Sequence, residues 1–203
     1  LFEKGGPVMY LLLLCSLSVA AIAIDRFLLY RRAAKGAQEL EAEVSASLRK
    51  RKVDEAASAA EGKDNMVAHL VQSAVEARAA GEDVPMTLEA VYGEAAMLLR
   101  ARLNYLSTIV TLAPLLGLLG TISGMIQSFS VFNLQAGQPM AITGGIGEAL
   151  IATATGLLVA IFALVVHTYF AQRMDTMLTL LEKTMNTLLA GFVAADGGRS
   201  HAS

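Results

Sequence analysis

Glu148 stands in the run GGIGEALIATATG and is the one residue among Asp, Glu, Lys and Arg between Leu103 and Gln172. An acid at the centre of a membrane helix costs about 3 kcal/mol, so it faces a partner or a cavity. Ala152, Thr155 and Val159 continue its helical face, which puts the Thr155 hydroxyl on the same side. Thr153 lies ~17 Å below the outer end of its segment, and Thr121 lies ~17 Å below the outer end of the preceding one. An antiparallel hairpin brings the two threonines to one level, just below Glu148. A carboxyl group and hydroxyls at neighbouring depths can hold a proton or water chain. The second and third apolar segments contain no Lys or Arg as a counter-charge, so a second proton-carrying group is expected from another chain.

The elements that must position these groups are apolar helices. The chain has 203 residues, 55% hydrophobic and 17% charged, against roughly 25% charged in a soluble domain. A seventy-residue stretch with one charge cannot solvate a protein surface, which excludes a soluble enzyme. Three stretches are long enough to cross a bilayer: residues 8–30, 105–132 and 142–170. The second and third, at ~42 Å, extend past the hydrocarbon layer. The expected fold is all-α, an integral membrane protein with three transmembrane helices. Two of these helices are long and reach into a cytoplasmic helical bundle. The division is 1–30 for a short periplasmic N-terminus and first span, 31–104 for a cytoplasmic helical region, 105–172 for the pore hairpin, and 173–203 for a cytoplasmic helix and disordered tail.

On a helical wheel of span two, Ser107, Thr111, Pro114, Leu118, Thr121, Met125 and Ser128 fall in one sector of about 100°. Such a hydroxyl stripe is a wet or partner-facing surface, so Ser107, Thr111, Met125 and Ser128 are assigned to a pore lining. Gly117, Gly120 and Gly124, with Pro114, are assigned to close helix packing.

Lys and Arg flank the inner ends of the spans: Arg26, Arg31, Arg32 and Lys35 after the first, Arg100 and Arg102 before the second, Arg173 and Lys183 after the third. Residues 133–141 carry no charge. The positive-inside rule therefore puts the N-terminus outside and the C-terminus inside. In the inner region Val67, Leu70, Val71, Ala74 and Val75 repeat with helical spacing, with Asp64 as N-cap and Gly81 as terminator. Leu88, Val91, Tyr92, Ala95 and Leu99 form a second stripe, expected to run into span two as one helix. Met174, Leu178, Leu181, Met185 and Leu188 form a two-heptad seam that suits an oligomer. The run Arg49-Lys50-Arg51-Lys52 reads as a solvated turn or a contact to lipid headgroups. A net charge of −2 gives no footprint for nucleic acid, Cys15 is alone, and no metal or nucleotide motif occurs, so neither cofactor nor metal is expected.

The run TLAPLLGLLGTISGMIQSF at 111–129 and the run GGIGEALIATATGLL at 144–158 resemble the second- and third-span signatures of the ExbB/TolQ/MotA proton-channel family. The resemblance covers most of residues 7–190, and the short N-terminus and modest loop are closest to ExbB-like or TolQ-like subunits. It implies a bacterial inner-membrane stator subunit, pentameric around a dimer of single-span ExbD/TolR-type partners. It also implies coupling of the proton-motive force to a TonB- or TolA-type periplasmic transducer. By motif, Thr121, Glu148 and Thr153 fall at the family's pore Thr, Glu and Thr, and the partner's intramembrane Asp would carry the proton. Ser123 stands where the family often has an aromatic residue. Two other classes compete: a cation exchanger built on Glu148, disfavoured because three spans give no inverted repeat, and a structural membrane scaffold.

The charge asymmetry makes a direct prediction. In a Cys15→Ala background, an impermeant thiol reagent added to intact cells labels Gln138→Cys and leaves Glu61→Cys unlabelled; the reverse pattern inverts the topology.

Overall fold

In a computed structural model, which describes residues 6–134 and 139–200, seven helices follow one another. They are α1 (Val8–Ala34), α2 (Ala37–Arg49), α3 (Val53–Ala60), α4 (Met66–Ala80), α5 (Val84–Arg100), α6 (Leu103–Leu134) and α7 (Pro139–Ser200). No strand occurs among the described residues. Among the described residues, three helices are long and apolar enough to cross a membrane. Residues 135–138 of the expected outer loop lie outside the described residues. The chain divides into two compact units: Leu1–Asp25 with Arg102–Phe170, and Arg26–Ala101 with Ala171–Ser203.

The first unit holds the start of α1, all of α6 and the apolar half of α7. Its helices bury small residues: Ala113, Ala152 and Ala163 are at most 1% exposed, while Leu115, Leu158 and Phe162 point outward. That inside-out pattern suits a lipid solvent, in which helices associate by close backbone approach rather than by burying large side chains. Arg102 pairs with Asp25 at 2.9 Å.

The second unit is a more ordinary core. Leu40, Val44, Val71, Leu88, Leu181 and Leu188 are fully buried. Gly191 lets α7 close on α2, because a Cβ there would stand 2.9 Å from Leu48 Cδ2. Arg78 lies over the Phe192 ring at 4.7 Å, a cation–π contact. Lys183 Nζ meets Glu41 Oε2 at 3.1 Å, with the Glu41 side chain 7% exposed.

Four local expectations change. The helix over 66–80 is capped by Asn65 rather than Asp64: Asn65 Oδ1 accepts from the Ala68 amide at 2.9 Å, and its Nδ2 donates to the Lys35 carbonyl at 3.2 Å. A carboxylate cannot do both. Gly81 closes the same helix in the left-handed conformation (φ 74°), where a residue without Cβ is favoured. Span two is not continuous with the preceding stripe. Ala101 is extended and Arg102 is left-handed (φ 67°), so α5 stops before α6 begins. The carbonyls freed at the end of α5 are bound from α1: Arg26 Nη1 donates to Leu98 O at 3.0 Å and Tyr30 Oη donates to Leu99 O at 2.9 Å. The 174–188 seam is spent inside the chain, with Leu178, Leu181 and Leu188 buried in the second unit. Residues 196–200, expected in a disordered tail, continue α7, since extending a formed helix is far easier than starting one.

Tyr30→Phe keeps the ring and removes one donor from a buried carbonyl, and is expected to cost about 1–3 kcal/mol. Ser18 only bonds back to Leu14 O, so Ser18→Ala is expected to be near neutral. Thermal melts of the purified protein compare the two; equal midpoints would remove Tyr30 from the account of the α5 terminus.

Candidate functional site

Glycine and alanine set the α6–α7 hairpin. A Cβ on Gly156 would stand 2.6 Å from the Ala113 carbonyl oxygen and 3.0 Å from Gly117 Cα. One on Gly117 would stand 3.1 Å from Ala152 O and from Thr153 Cα. Further along, Gly120 faces Ala152, Gly124 faces Ala149 and the Gly145 carbonyl, and a Cβ on Gly145 would collide with Ser128 Oγ. The two backbones thus touch directly over about four turns. Gly117, Gly120 and Gly124 lie in this seam. Their α7 counterparts Gly145, Ala149, Ala152 and Gly156 were missed, although their spacing of four, three and four repeats the same small-residue signal. Pro114 lies within α6, half-buried beside Ala113, and the helix runs through it.

That register moves the threonines relative to one another. Thr153 packs opposite Gly117, not Thr121, so the two threonines are offset by about one turn instead of level. Equal counts from the two helix ends misplace them, because the glycine contacts fix the pairing and the connection does not. The hydroxyls nevertheless reach consecutive carbonyls: Thr153 Oγ1 donates across the hairpin to Gly117 O at 2.9 Å, and Thr121 Oγ1 donates to Leu118 O at 2.6 Å. Thr153 is the hydroxyl that ties α7 to α6. Thr155 bonds back to Ile151 O at 2.8 Å.

Glu148 is half-buried. Its Oε1 lies beside the chain entering α1, 3.3 Å from where a Cβ on Gly6 would stand. Among the described residues no hydrogen bond or ion pair reaches its carboxylate. No bond joins it to Thr121, Thr153 or Thr155 within one chain; each of those hydroxyls donates to a backbone carbonyl.

The expected lining residues divide. Ser107, Thr111 and Met125 lie on an exposed face of α6 with Leu118, and Thr121 is half-exposed on that face. Thr111 Oγ1 is within 3.2 Å of Ser107 O and 3.1 Å of Thr108 O. Ser128 leaves the stripe: it is 4% exposed, donates to Gly124 O at 2.7 Å and packs against Gly145. The wheel put Ser128 at the edge of the sector, and the close approach of Gly145 draws it into the seam.

A membrane helix pair with an unpaired half-buried carboxyl and an open hydroxyl-bearing face can pass protons if another chain covers that face. The sequence profile of the MotA/TolQ/ExbB proton channel family matches residues 33–183. The ExbB-like 1 biopolymer transport protein of Synechocystis sp. is 34% identical over 175 residues, covering 81% of this chain and 67% of its own. The biopolymer transport protein ExbB of Salmonella typhimurium is 39% identical over 74 residues, 36% of this chain and 30% of that one. The Tol-Pal system protein TolQ of Pseudomonas aeruginosa is 32% identical over 108 residues, 53% and 47% of the two chains. The chain thus spans under half the length of the last two.

The seam predicts position-specific damage. Gly156→Val is expected to lower the yield of folded protein and its thermal midpoint strongly, because its side chain meets backbone that cannot move aside. Gly144→Ala and Gly147→Ala, where a Cβ meets nothing within 4 Å, are expected to behave like the parent. Size-exclusion profiles and melts of the three variants decide it.

Proposed function

Since the chain belongs to the MotA/TolQ/ExbB proton channel family, we propose that it is the channel and stator subunit of an inner-membrane motor that turns proton flow into work on a periplasmic partner. The ExbB-type role is favoured over the TolQ-type one, because the ExbB-like relative from Synechocystis sp. covers 81% of the chain. Its partners in this reading are further copies of itself, five by family likeness, a dimer of a single-span ExbD/TolR-type chain, a TonB/TolA-type transducer and membrane lipid. The N-terminus is periplasmic and the C-terminus cytoplasmic. The protein moves protons and transforms no substrate.

The observation that carries this reading is Glu148, the only Asp, Glu, Lys or Arg between Leu103 and Gln172, held at the α1–α7 edge without a partner among the described residues. Removing a carboxyl from water costs several kcal/mol unless it is neutral or paired. A neighbouring chain that supplies the complementary group makes the site complete only on assembly. Thr153 holds the hairpin shut beside it through Gly117 O, and the open α6 face with Ser107, Thr111, Thr121 and Met125 offers the wall of a path. Each proton moving down 100 mV releases about 2.3 kcal/mol, enough for motion when summed over many.

The experiment is substitution at Glu148 with the complex weighed in every case. Glu148→Ala is expected to abolish work driven by the proton-motive force while the complex mass stays unchanged. Glu148→Asp is expected to keep part of it, and Thr121→Val and Thr153→Val to reduce it less than Glu148→Ala does. Full energised activity from an assembled Glu148→Ala complex would overturn the proposal.

A further inference from the structure

We infer that α5 of one copy docks in the groove between α2 and α7 of the next, forming a head-to-tail contact outside the spans. The inference rests on the multi-copy assembly proposed above and names the surfaces that make it. With the 174–188 seam consumed within the chain, the adjoining face of α7 lies open along a cavity of about 820 Å³. Leu48, Ala190, Gly191 and Ala194 line it together with four uncharged polar side chains, Arg49, Arg51 and Lys183 give it positive charge, and Glu182 is the one acid among its lining residues. Lys183 is engaged by Glu41, but Arg49 and Arg51 make no ion pair among the described residues.

The second surface is α5. Leu88 and Leu99 hold one side of this helix to its own unit, being fully buried. On the opposite side Met86, Ala90, Gly93 and Met97 repeat at four, three and four residues, a single stripe. Met86 is 72% and Met97 70% exposed, and nothing lies within 4 Å of a Cβ placed on Gly93. At 100° per residue Glu89 flanks that stripe on one side and Glu94 on the other. No Lys or Arg occurs between Gly81 and Leu99. Glu82, Glu89 and Glu94 form no ion pair among the described residues.

The two surfaces complement each other in both respects. A stripe of small and flexible side chains bordered by Glu89 and Glu94 matches a groove of small side chains that carries Arg49 and Arg51, so the charges are of opposite sign across the contact. Because the contact joins two different patches, it is head-to-tail, and repeating it gives a ring where the rotation closes.

The test uses two single-cysteine chains, both carrying Cys15→Ala, co-expressed in cells with different tags. One carries Ala90→Cys and the other Asn186→Cys, a residue lining the groove. Mild oxidation is expected to give a mixed-tag disulfide dimer, lost on adding Arg49→Glu and Arg51→Glu to the groove-bearing chain and regained with Glu89→Lys and Glu94→Lys in the other. Native mass measurement of the same samples separates the failures. A multi-copy complex without the mixed disulfide overturns the docking and leaves the assembly standing. Single copies in native lipid overturn both. A disulfide from Ala90→Cys to a different protein assigns the α5 face to another partner and overturns the inference.

Discussion

The rest of the structure depends on the contact of two backbones. Between Gly156 and Ala113 a single added carbon has no room, and the same holds at Gly145 against Ser128. In lipid no hydrophobic drive pushes helices together, since the tails are as apolar as the side chains. What replaces it is dispersion over a surface smooth enough for close approach, together with occasional hydrogen bonds across it. Thr153 supplies such a bond to the carbonyl of Gly117, a residue whose own lack of a side chain permits the approach.

Once that seam is fixed, the outward faces follow. Large apolar side chains leave the interface for lipid or for other subunits, as Leu115, Leu158 and Phe162 do. The hydroxyl-bearing face of α6 turns away from α7, and Glu148 is set where α7 passes the chain entering α1. The chain by itself therefore presents an acid and an open polar face without completing either. Under the proposed function, a proton path assembled from several chains would use such a face, and a structural scaffold would gain nothing from a carboxyl in an apolar span.

The spans and the all-helical class were legible because each rests on composition, and charge is conspicuous where it is scarce. The α6 glycines were legible by spacing. Their α7 counterparts stand in the sequence with the same spacing, but they are interleaved with threonines that attracted a polar reading. Register was not legible: the level of Thr153 against Thr121 is decided by which small residues touch, and counting from helix ends cannot supply it. The break at Ala101 and Arg102 was hidden for a different reason. It contains neither Gly nor Pro, and it stands because Arg26 and Tyr30, some seventy residues away in sequence, bind the freed carbonyls. The 174–188 seam showed that a face is buried, while the identity of what buries it, α2 and its neighbours within one chain, is tertiary information.

The central claim is that Glu148 lies on the route of the proton. Its most direct measurement is proton flux into vesicles holding the purified complex of this chain with its single-span partner, driven by an imposed potential. The parent and Glu148→Gln complexes are compared at equal mass and copy number. Gln keeps the volume and polarity of the side chain and cannot exchange a proton. The account predicts flux from the parent and only background leak from Glu148→Gln. Equal flux from the two complexes would contradict it.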